Sequence, residues 1–361
     1  MSQLRAVQVL GGGSAGSSAH VGSLAAGLVA RGVRVTVCAP AALDRAYGFS
    51  AGGVHFAPVP RRSDPAAVAA LRAACAGADV VHAHGLHAAV RAALALGGQR
   101  VPLVVTWHTR AHAEGARRRL LHLLERKAVR AAAVVLATSS DLVDRARSRG
   151  ARDARLAPVS APLPPLPAAP PADKLRAELG AVGRPLIVAV GSLVPHHGYG
   201  TLLEAAAAWR GLDPVPLLVV VGEGRERAAL RRRITADDLP VELLGSRSDA
   251  TAVLAAADVA VLPSRWESRS TVAQEALRAG VPLVATAVGG TPELVGDAAV
   301  LVPYADAEAL SGAVARLLGD PAERARMAAD GPRQAARWPS EDDSIVQVLA
   351  LYDELVQPLG R

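Results

Sequence analysis

The chain has 361 residues, which is too long for a single ordinary core. Of these residues 51% are hydrophobic and 3% are aromatic, a composition that excludes a disordered protein. Cys38 and Cys75 are its two cysteines, which excludes a disulfide framework, and no segment has the pattern of a signal peptide or the length of a membrane span, so we expect a cytoplasmic enzyme of two domains. The net charge of +7 is unevenly divided: residues 1–157 hold 21 basic and 8 acidic side chains and the remainder holds 19 basic and 25 acidic ones, so the first half is expected to face something anionic.

A glycine-rich turn follows the first predicted strand. Leu4–Leu10 has the pattern of a short strand that runs into the letters GGGSAGSS, and Ala19–Arg31 continues as an apolar-periodic helix. Glycines between a strand and a helix let backbone amides approach a ligand closely. The turn is weak as a dinucleotide fingerprint, because no acidic residue follows the next predicted strand, Val33–Ala39, at the required place. Two interpretations stay open: a plain tight turn, or a loop in which Gly12 and Gly13 contact a ligand.

Histidines cluster after two further predicted strands. Ala78–His82 leads into the letters AHGLH, and Val101–Thr106 leads into TWHTRAH. The carboxyl ends of parallel strands are where α/β proteins bind ligands. A metal site at His82, His84 and His87 is not expected, because no carboxylate or thiolate lies nearby in the sequence to complete it. These side chains are instead expected to have a structural role or to line an acceptor site.

The segment Ala113–Ala132 is predicted to be a basic amphipathic helix. Its apolar face consists of Leu120, Leu121, Leu124 and Ala128, and its basic face consists of Arg118, Arg119, Arg126 and Arg130. One interpretation is a helix that lies on an anionic membrane surface. The other is an ordinary domain helix with its leucines in the core and its charged side in water.

A proline-rich run separates two alternating strand and helix patterns. The letters APVSAPLPPLPAAPPAD predict an extended linker. We therefore predict a first domain at residues 1–160, a second domain at residues 161–340 and a terminal helical segment at residues 341–361.

Within the second domain, the letters DVAVLPSRWESRSTVAQEALRAGVPLVATAVGGTPE predict a strand, a loop, a helix and a strand, which is the repeating unit of a parallel sheet. Asp258–Leu262 and Val281–Ala285 are the short apolar strands, and Thr271–Ala279 has helical spacing. The start of this helix offers unpaired backbone amides and a positive dipole end, where a phosphate binds well.

Two carboxylates, Glu267 and Glu275, flank the start of that helix. Carboxylates accept hydrogen bonds from sugar hydroxyls. Amides for phosphate and carboxylates for hydroxyls together predict a nucleotide-sugar pocket. The alternative is a capping loop whose two glutamates are solvated.

The residues PSRWE…QEALRAGVPLVAT…GG.PEL resemble the donor-site signature of the retaining family-four glycosyltransferases of the GT-B fold, with Glu267 and Glu275 as both glutamates of their E-x7-E motif. The letters GGG.S…H…LA..L..RG.RV.V, DVVHAHG and GEGRERAAL are also similar to segments of that family. The resemblance implies two Rossmann-like parallel-sheet domains that face a central cleft, an acceptor-binding domain followed by a donor domain, and a C-terminal helix that crosses back to the first domain. It implies a retaining sugar transfer, with the acceptor hydroxyl entering on the face from which the diphosphate departs.

The resemblance also implies roles for individual residues. His108 and Glu267 are the expected catalytic residues: His108 near the reacting sugar, and Glu267 on its hydroxyls. Glu275 is expected to bind the ribose hydroxyls, whereas His84 and Thr109 are expected on the acceptor side. The other expected donor-binding positions are Gly12, Gly13, Ser192, His197, Gly222, Glu223, Leu244, Gly245, Ser268, Arg269, Ser270 and Thr271.

The largest departure from the family lies in the letters GSLVPHHGYG. The family normally has Arg after the first glycine and Lys before the later one, and both bind the donor diphosphate; this chain has Ser192 and His197 there. Losing two charge-assisted hydrogen bonds of about 1.5–3 kcal/mol each would lower donor affinity or rate by roughly a hundred- to ten-thousandfold. Three explanations stay open: a protonated His197, a replacement cation from Arg269, or a chain that has lost catalysis or uses an unusual donor.

The expected partners follow from the same features. No Asp-x-Asp pair occurs in the chain, so neither a metal ion nor another cofactor is expected beside the nucleoside diphosphate sugar. The basic first domain favours a lipid-linked or phosphorylated acceptor and a peripheral contact with an anionic membrane. Nucleic acid is not expected, because stacking aromatic residues are scarce. Two rival functions are a catalytically impaired nucleotide-sugar-binding or scaffold protein of the same fold and a sugar-nucleotide epimerase.

Overall fold

The computed structural model divides into two compact units. One unit comprises Met1–Pro162 and Pro339–Arg361, and the other comprises Leu163–Trp338. The predicted domain limits were residues 160 and 340. The structure describes residues 3–12, 15–60, 65–110, 115–159 and 172–356.

The first unit is built on a seven-stranded parallel sheet with the strand order β3-β2-β1-β4-β5-β6-β7. Its central strands are almost entirely buried, because helices cover both faces of the sheet. The order reverses between β1 and β4, which places a crevice at the carboxyl ends of these two strands. The strands are β1 (Arg5–Leu10), β2 (Arg34–Ala39), β3 (His55–Pro58), β4 (Val80–His84), β5 (Leu103–Trp107), β6 (Val134–Ala137) and β7 (Ala154–Leu156).

The helices of the first unit connect these strands as right-handed crossovers require. They are α1 (Ala15–Ala30), α2 (Ala41–Tyr47), α3 (Pro65–Ala74), α4 (Leu86–Ala95), α5 (Gly115–Ala131) and α6 (Ser140–Ser148). Helices α2 and α4 were not predicted from the sequence. Neither helix has a side chain that caps its N-terminus, and half of the residues of α4 are alanine, so both the capping signal and the apolar periodicity are weak.

One predicted boundary was wrong in a way that matters for the site. The fourth strand was expected to end at His82, but β4 runs from Val80 to His84. His84 therefore lies in the strand and not in the loop after it, opposite Leu10 of β1 and Thr106 of β5.

The arrangement of α5 differs from the predicted one. Ala128 and Val129 are buried, but Leu120 is 58% exposed and Leu123 is 62% exposed. Glu125 of α5 forms ion pairs with Arg145 of α6 at 2.7 Å and with Arg149, the residue after α6, at 2.8 Å. These ion pairs join the two helices. The leucine face is thus only partly in the core. No helix among the described residues combines the length and the apolarity that crossing a bilayer requires.

The second unit repeats the same design with a six-stranded parallel sheet in the order β10-β9-β8-β11-β12-β13. Its strands are β8 (Leu186–Val190), β9 (Leu217–Val221), β10 (Val241–Gly245), β11 (Val259–Leu262), β12 (Leu283–Thr286) and β13 (Val300–Val302). Its helices are α7 (Ala172–Glu178), α8 (Tyr199–Ala208), α9 (Arg227–Ala236), α10 (Ala250–Ala255), α11 (Thr271–Arg278), α12 (Thr291–Val295), α13 (Ala307–Gly319) and α14 (Pro321–Ala335). Clusters of buried aliphatic side chains lie on each face of this sheet.

The last helix, α15 (Glu341–Val356), belongs to the first unit, where it packs on α1 and β4. Gly27 of α1 leaves room for Ile345, because a Cβ at that position would collide with the isoleucine side chain. Polar contacts of Ser23 with Glu341 and of Arg31 with Asp342 join the two helices at their edge. The second half of α15 carries Tyr352 into the buried interior of the first unit.

Candidate functional site

The loop between β11 and α11 is held in one shape by its own hydrogen bonds. Ser270 caps α11, since its hydroxyl accepts a bond from the backbone N–H of Ala273 at 3.4 Å. The Gln274 side chain donates to the carbonyl oxygens of Arg269 at 3.3 Å and Ser270 at 3.4 Å. The first turn of α11 follows this loop, so its backbone N–H groups form a ready site for a phosphate.

Glu267 is half-buried in this loop, with its carboxylate turned toward the protein. The Ser264 hydroxyl donates to its Oε1 at 2.8 Å, and its backbone carbonyl accepts from the N–H of Gly290 at 2.9 Å. Burial raises the pKa of Glu267, although the Ser264 hydrogen bond and the charge of His196 oppose the rise. Oε2 and the second lone pair of Oε1 remain able to accept hydroxyl hydrogen bonds.

The glycine pair after β12 is needed because only a glycine fits at position 289. Its backbone is in the left-handed region, with φ of 54°, and a Cβ there would collide with the carbonyl oxygen of Glu267 and the Trp266 ring. Glycine therefore lets the segment before α12 close over the backbone of Glu267.

Glu275 lies in the second turn of α11 and is also half-buried. Thr251 of α10 donates its hydroxyl to Oε2 of Glu275 at 2.9 Å. Burial raises the pKa of Glu275, while the Thr251 hydrogen bond and the Arg278 charge lower it. The two predicted carboxylates thus share one arrangement: each is partly desolvated and each accepts a hydrogen bond from a neighbouring hydroxyl group.

A short helical turn, Pro195–His197, lies against this loop. The backbone N–H of Arg265 donates to the His196 carbonyl at 2.8 Å. Gly198 follows with φ of 72°, and a Cβ there would collide with the carbonyl oxygen of Pro263. His197, at the position where the family normally has Lys, therefore lies in a segment directly beside the loop between β11 and α11, which we call the Glu267 loop.

His197 is neutral in this arrangement. Its Nδ1 lies 2.8 Å from the Ser192 carbonyl oxygen, which can only accept, so Nδ1 carries the proton and Nε2 is left as an acceptor. Burial lowers the pKa of His197, and the hydrogen bond to the Ser192 carbonyl only partly compensates. The Ser192 side chain is exposed and carries no charge.

Arg269 is a partly desolvated cation within the Glu267 loop. Its Nε is buried and, among the residues that the structure describes, has no hydrogen-bond partner. Burial lowers the pKa of Arg269 to about 10, and the charge of Glu293 opposes the fall. Arg269 therefore stays positively charged at neutral pH.

The remaining predicted donor positions lie at the carboxyl ends of neighbouring strands. The N–H of Gly222, after β9, donates to the carbonyl of Gly245 in β10 at 2.8 Å, and the N–H of Leu193 donates to the Glu223 carbonyl at 2.8 Å. Gly222 has φ of 149°, and a Cβ there would collide with the Gly191 carbonyl oxygen. Because β10, β9, β8 and β11 are adjacent in the sheet, these residues and Leu244 share one edge with the Glu267 loop.

In the first unit, the predicted histidines form a buried polar cluster at the switch point of the sheet. His84 Nδ1 lies 3.2 Å from His108 Nε2, and His84 Nε2 lies 2.7 Å from Gln8 Oε1 on β1. His82 contacts the Tyr352 hydroxyl at 2.7 Å and the Thr106 hydroxyl at 2.6 Å. The His20 ring of α1 lies 5.6 Å from the His108 ring.

The imidazoles of His82, His84 and His108 are uncharged. Burial lowers the pKa of His82 to about 3 and the pKa values of His84 and His108 well below the usual 6.5, and neighbouring histidine charges lower them further. Within the described part of the chain, no group of three or more His, Cys, Asp or Glu residues is arranged to hold a metal ion.

The other predicted positions of the first unit stand apart from these contacts. Thr109 is exposed, and Gly12 has φ of 125° at the end of β1. Gly13 lies outside the described residues.

Several contact residues were not predicted from the sequence. Gln8, Tyr352, Ser264 and Thr251 complete the hydrogen bonding of the predicted histidines and glutamates. Gln8 alone carried a signal, because it is a polar residue at the centre of an otherwise apolar strand. Tyr352 and Thr251 have partners that lie far away in the sequence, and Ser264, which is three residues from Glu267, has an ordinary polar side chain without a distinctive motif.

Two family models match the chain, one for each half. The model described as "Glycosyl transferase 4-like domain" matches residues 15–162, and the model described as "Glycosyl transferases group 1" matches residues 172–334. Together they cover the larger part of both parallel-sheet units.

Curated relatives match mainly over part of their length. A GDP-mannose-dependent monoacylated alpha-(1-6)-phosphatidylinositol monomannoside mannosyltransferase of Corynebacterium glutamicum is 35% identical over 47% of this chain and 48% of its own. A D-inositol 3-phosphate glycosyltransferase of Corynebacterium urealyticum is 34% identical over 48% of this chain and 45% of its own. The chain spans about half the length of these relatives.

Solved structures match over nearly the whole chain. The Anabaena protein HepE in complex with UDP has a TM-score of 0.81 at 21% identity, covering 98% of this chain and 100% of its own. Sucrose-phosphate synthase from Thermosynechococcus elongatus has a TM-score of 0.77 at 22% identity, covering 98% of this chain and 99% of its own. These neighbours and the two parallel-sheet units confirm the predicted GT-B fold.

Proposed function

Because the chain belongs to the family-four glycosyltransferases, we propose that it transfers a sugar from a nucleoside diphosphate sugar to an acceptor hydroxyl, with retention of configuration and without a metal ion. One observation carries the proposal. Glu267 and Glu275, on either side of the start of α11, are both partly desolvated and both accept a hydrogen bond from a hydroxyl group. A sugar and a ribose present the same kind of donor.

The proposed reaction needs few groups from the protein. The bond between the anomeric carbon and the diphosphate oxygen breaks, the acceptor oxygen bonds to that carbon on the same face, and the acceptor proton passes to the departing phosphate. Catalysis then depends on stabilising the charge of the leaving diphosphate. The N–H groups of the first turn of α11 and the cation of Arg269 would do so, while Glu267 holds the sugar hydroxyls.

The structure favours Arg269 over His197 as the replacement for the missing cations. His197 has a lowered pKa, and its Nδ1–H donates a hydrogen bond to the Ser192 carbonyl, so in the free protein it offers a phosphate no donor. Arg269 has a charged guanidinium whose buried Nε lacks a partner among the described residues. A diphosphate oxygen would satisfy this donor.

The donor base and the acceptor are proposed from relatives. The Corynebacterium glutamicum relative is named for GDP-mannose, the HepE structure contains UDP, and two relatives are named for inositol phosphate or phosphatidylinositol compounds. We propose a nucleoside diphosphate hexose as donor and a phosphate-bearing polyol, free or lipid-linked, as acceptor. The basic first half of the chain is complementary to such an acceptor.

We also propose that α5 brings the protein to an anionic membrane. Two exposed leucines, Leu120 and Leu123, lie among six basic side chains of this helix, and the helix is held from below by Glu125. Exposed leucines beside arginines are the pattern of an interfacial helix.

The test of the function is a transfer assay. UDP-glucose and GDP-mannose, with radiolabelled sugar, are incubated with inositol phosphate or phosphatidylinositol, with and without EDTA. We expect a labelled product whose α-anomeric linkage is seen by NMR and whose yield does not change with EDTA. Glu267→Gln should abolish product formation, whereas Glu242→Gln, an exposed glutamate of β10, should not.

A second candidate is a nucleotide-sugar-binding protein without catalysis. The observation in its favour is the exposed, uncharged Ser192 beside a neutral His197. Saturable binding of a nucleotide sugar with no transfer and no hydrolysis would support this candidate over the enzyme.

A further inference from the structure

A continuous chain of hydrogen bonds links the last helix to His108. Tyr352 of α15 contacts both Gln8 Nε2 and His82 Nδ1 at 2.7 Å. Gln8 Oε1 contacts His84 Nε2 at 2.7 Å, and His84 Nδ1 contacts His108 Nε2 at 3.2 Å. We call these five residues the histidine network; all belong to the first unit.

From Gln8 to His108, the donor and the acceptor of each hydrogen bond in the histidine network follow from the bond before it. Gln8 donates through its amide nitrogen to the Tyr352 oxygen, so its amide oxygen faces His84. An oxygen can only accept there, so His84 Nε2 carries the proton. His84 is uncharged, which leaves its Nδ1 as an acceptor, and His108 must therefore donate through Nε2.

The histidine network ends at His108 Nδ1, a ring nitrogen that carries no proton. His108 is also uncharged and spends its single N–H on His84, so its Nδ1 has a free lone pair. His108 is half-buried, whereas the other four residues are buried, and no described residue bonds to its Nδ1. His20 is the other titratable group that faces it, ring to ring, from α1.

Reversing the Gln8 amide would reverse the whole network. With its nitrogen toward His84, His84 would carry the Nδ1 proton and donate to His108 Nε2, and His108 would carry its own proton on Nδ1. The same imidazole would then offer a substrate a donor instead of an acceptor. The two ends of the Gln8 amide are told apart only by what they contact, which is His84 on one side and Tyr352 on the other.

We propose that Tyr352 is a positioning residue: through Gln8 and His84 it holds His108 in the Nε2–H form, so that His108 Nδ1 accepts a hydrogen bond from a substrate hydroxyl. This inference rests on the proposed function, because it assumes that His108 faces the reacting sugar. The Tyr352 hydroxyl joins Gln8 to His82, which in turn contacts Thr106, and so couples the amide orientation to two further partners. Phenylalanine at this position would leave the amide without that coupling.

The first test needs no activity. The full chain is labelled with 15N-histidine, and long-range NMR spectra report which ring nitrogen of each neutral histidine carries the proton. The His108 signals are identified by their loss in His108→Asn. We expect Nε2–H forms for both His84 and His108 in the wild type; an Nδ1–H form of His108 would overturn the inference.

The second test is Tyr352→Phe. We expect His108 to become a mixture of the two forms and kcat to fall by about tenfold, with KM for the donor changed by less than about twofold. The control is Ile345→Val on the same helix, which loosens the packing on Gly27 without touching the histidine network. It should lower the melting temperature and leave both the His108 form and kcat unchanged.

The outcomes distinguish a failure of the proposed function from a failure of the proposed role of Tyr352. A wild type that transfers no sugar contradicts the proposed function, while the NMR result still decides the tautomer. An active wild type whose Tyr352→Phe variant keeps both the Nε2–H form and the normal kcat overturns the inference alone. Equal losses of kcat in Ile345→Val and Tyr352→Phe would also overturn it, because they would indicate a purely structural role.

Discussion

Arg269 shows how a single side chain can change the electrostatics of a loop. Of the two arginines in the loop between β11 and α11, Arg265 is exposed, whereas Arg269 is half-buried directly before Ser270, the residue that caps α11. Burial makes this charge unfavourable in the free protein, as the lowered pKa shows. A half-buried cation whose Nε has no hydrogen-bond partner among the described residues gains more interaction free energy from a bound phosphate than an exposed cation would.

Replacing Arg269 by alanine should therefore damage donor use. Loss of one charge-assisted hydrogen bond of about 1.5–3 kcal/mol lowers kcat/KM for the donor by about ten- to a hundredfold. The measurement is steady-state transfer from the nucleotide sugar identified in the transfer assay. Arg265→Ala is the matched control, because Arg265 is an exposed arginine of the same loop. Near-normal rates in Arg269→Ala would remove Arg269 from the donor site.

Histidine burial makes a second prediction at the residue scale. His82 has a folded-state pKa of about 3, whereas an unfolded histidine titrates near 6.5. Between these values only the unfolded chain binds the proton, so the free energy of unfolding falls as the pH decreases below 6.5. The slope is about 1.4 kcal/mol per pH unit, or about 2 kcal/mol between pH 6.5 and pH 5.

Urea unfolding at several pH values measures this slope. His82→Asn removes the titrating group, so the variant should be less stable than the wild type at pH 7 but should lose less stability on acidification to pH 5. An equal loss in both proteins would show that His82 is not the source. His55, which is exposed on β3, provides the control as His55→Asn.

At the scale of the element, α5 differs from the other helices of the first unit. A helix packed as an ordinary core element buries its leucines, but Leu120 and Leu123 are more exposed than any other leucine in the described residues. Six of its side chains are basic, and Glu125 is engaged with α6. The charge that remains therefore faces solvent.

Removing part of that charge should weaken membrane binding. The triple variant Arg117→Gln, Arg118→Gln and Arg119→Gln should bind vesicles containing phosphatidylserine about a hundredfold more weakly, since each basic residue near such a surface contributes about 1 kcal/mol. Vesicle flotation at low and high salt is the measurement. The control removes three exposed arginines elsewhere: Arg225, Arg231 and Arg232. Equal weakening in both triple variants would contradict a specific role for α5.

At the scale of the whole molecule, the proposed function predicts that binding of the donor nucleotide increases the stability of the folded protein. A ligand that binds only the folded state raises the free energy of unfolding by about 2.7 kcal/mol at a hundred times its dissociation constant. We expect one of the uridine, guanosine, adenosine and thymidine diphosphates to raise the melting temperature, and we expect EDTA to leave the shift unchanged. The melting temperature of the chain with each diphosphate is the measurement.

Two variants make this measurement specific. Glu275→Gln should reduce the shift, because the amide is a weaker acceptor for ribose hydroxyls than the carboxylate, whereas Glu242→Gln on β10 should not. A shift that disappears with EDTA would contradict the metal-free site. No shift with any diphosphate would contradict the nucleotide-sugar donor.

Much of the architecture could be predicted locally. The strands at Leu186–Val190 and Leu217–Val221 are apolar runs without a polar residue, so a doubly covered parallel sheet was the natural prediction. The helical spacing of Thr271–Ala279 predicted α11, which is Thr271–Arg278 in the structure. Weak local signals explain the failures: half of the residues of α4 are alanine, and Leu120 has the spacing of a core residue although it is exposed.

What the sequence by itself determined is therefore most of the strands and helices, the GT-B class and the candidate carboxylates, because apolar periodicity and short motifs are written within a few residues of each other. Only the tertiary structure decided which groups meet. Tyr352 and Gln8 are 344 positions apart, and Thr251 and Glu275 are 24 apart, yet each pair shares a hydrogen bond. Such contacts depend on how buried faces stack, and so does the burial that leaves His197 neutral and leaves the Arg269 Nε without a hydrogen-bond partner in the described part of the chain.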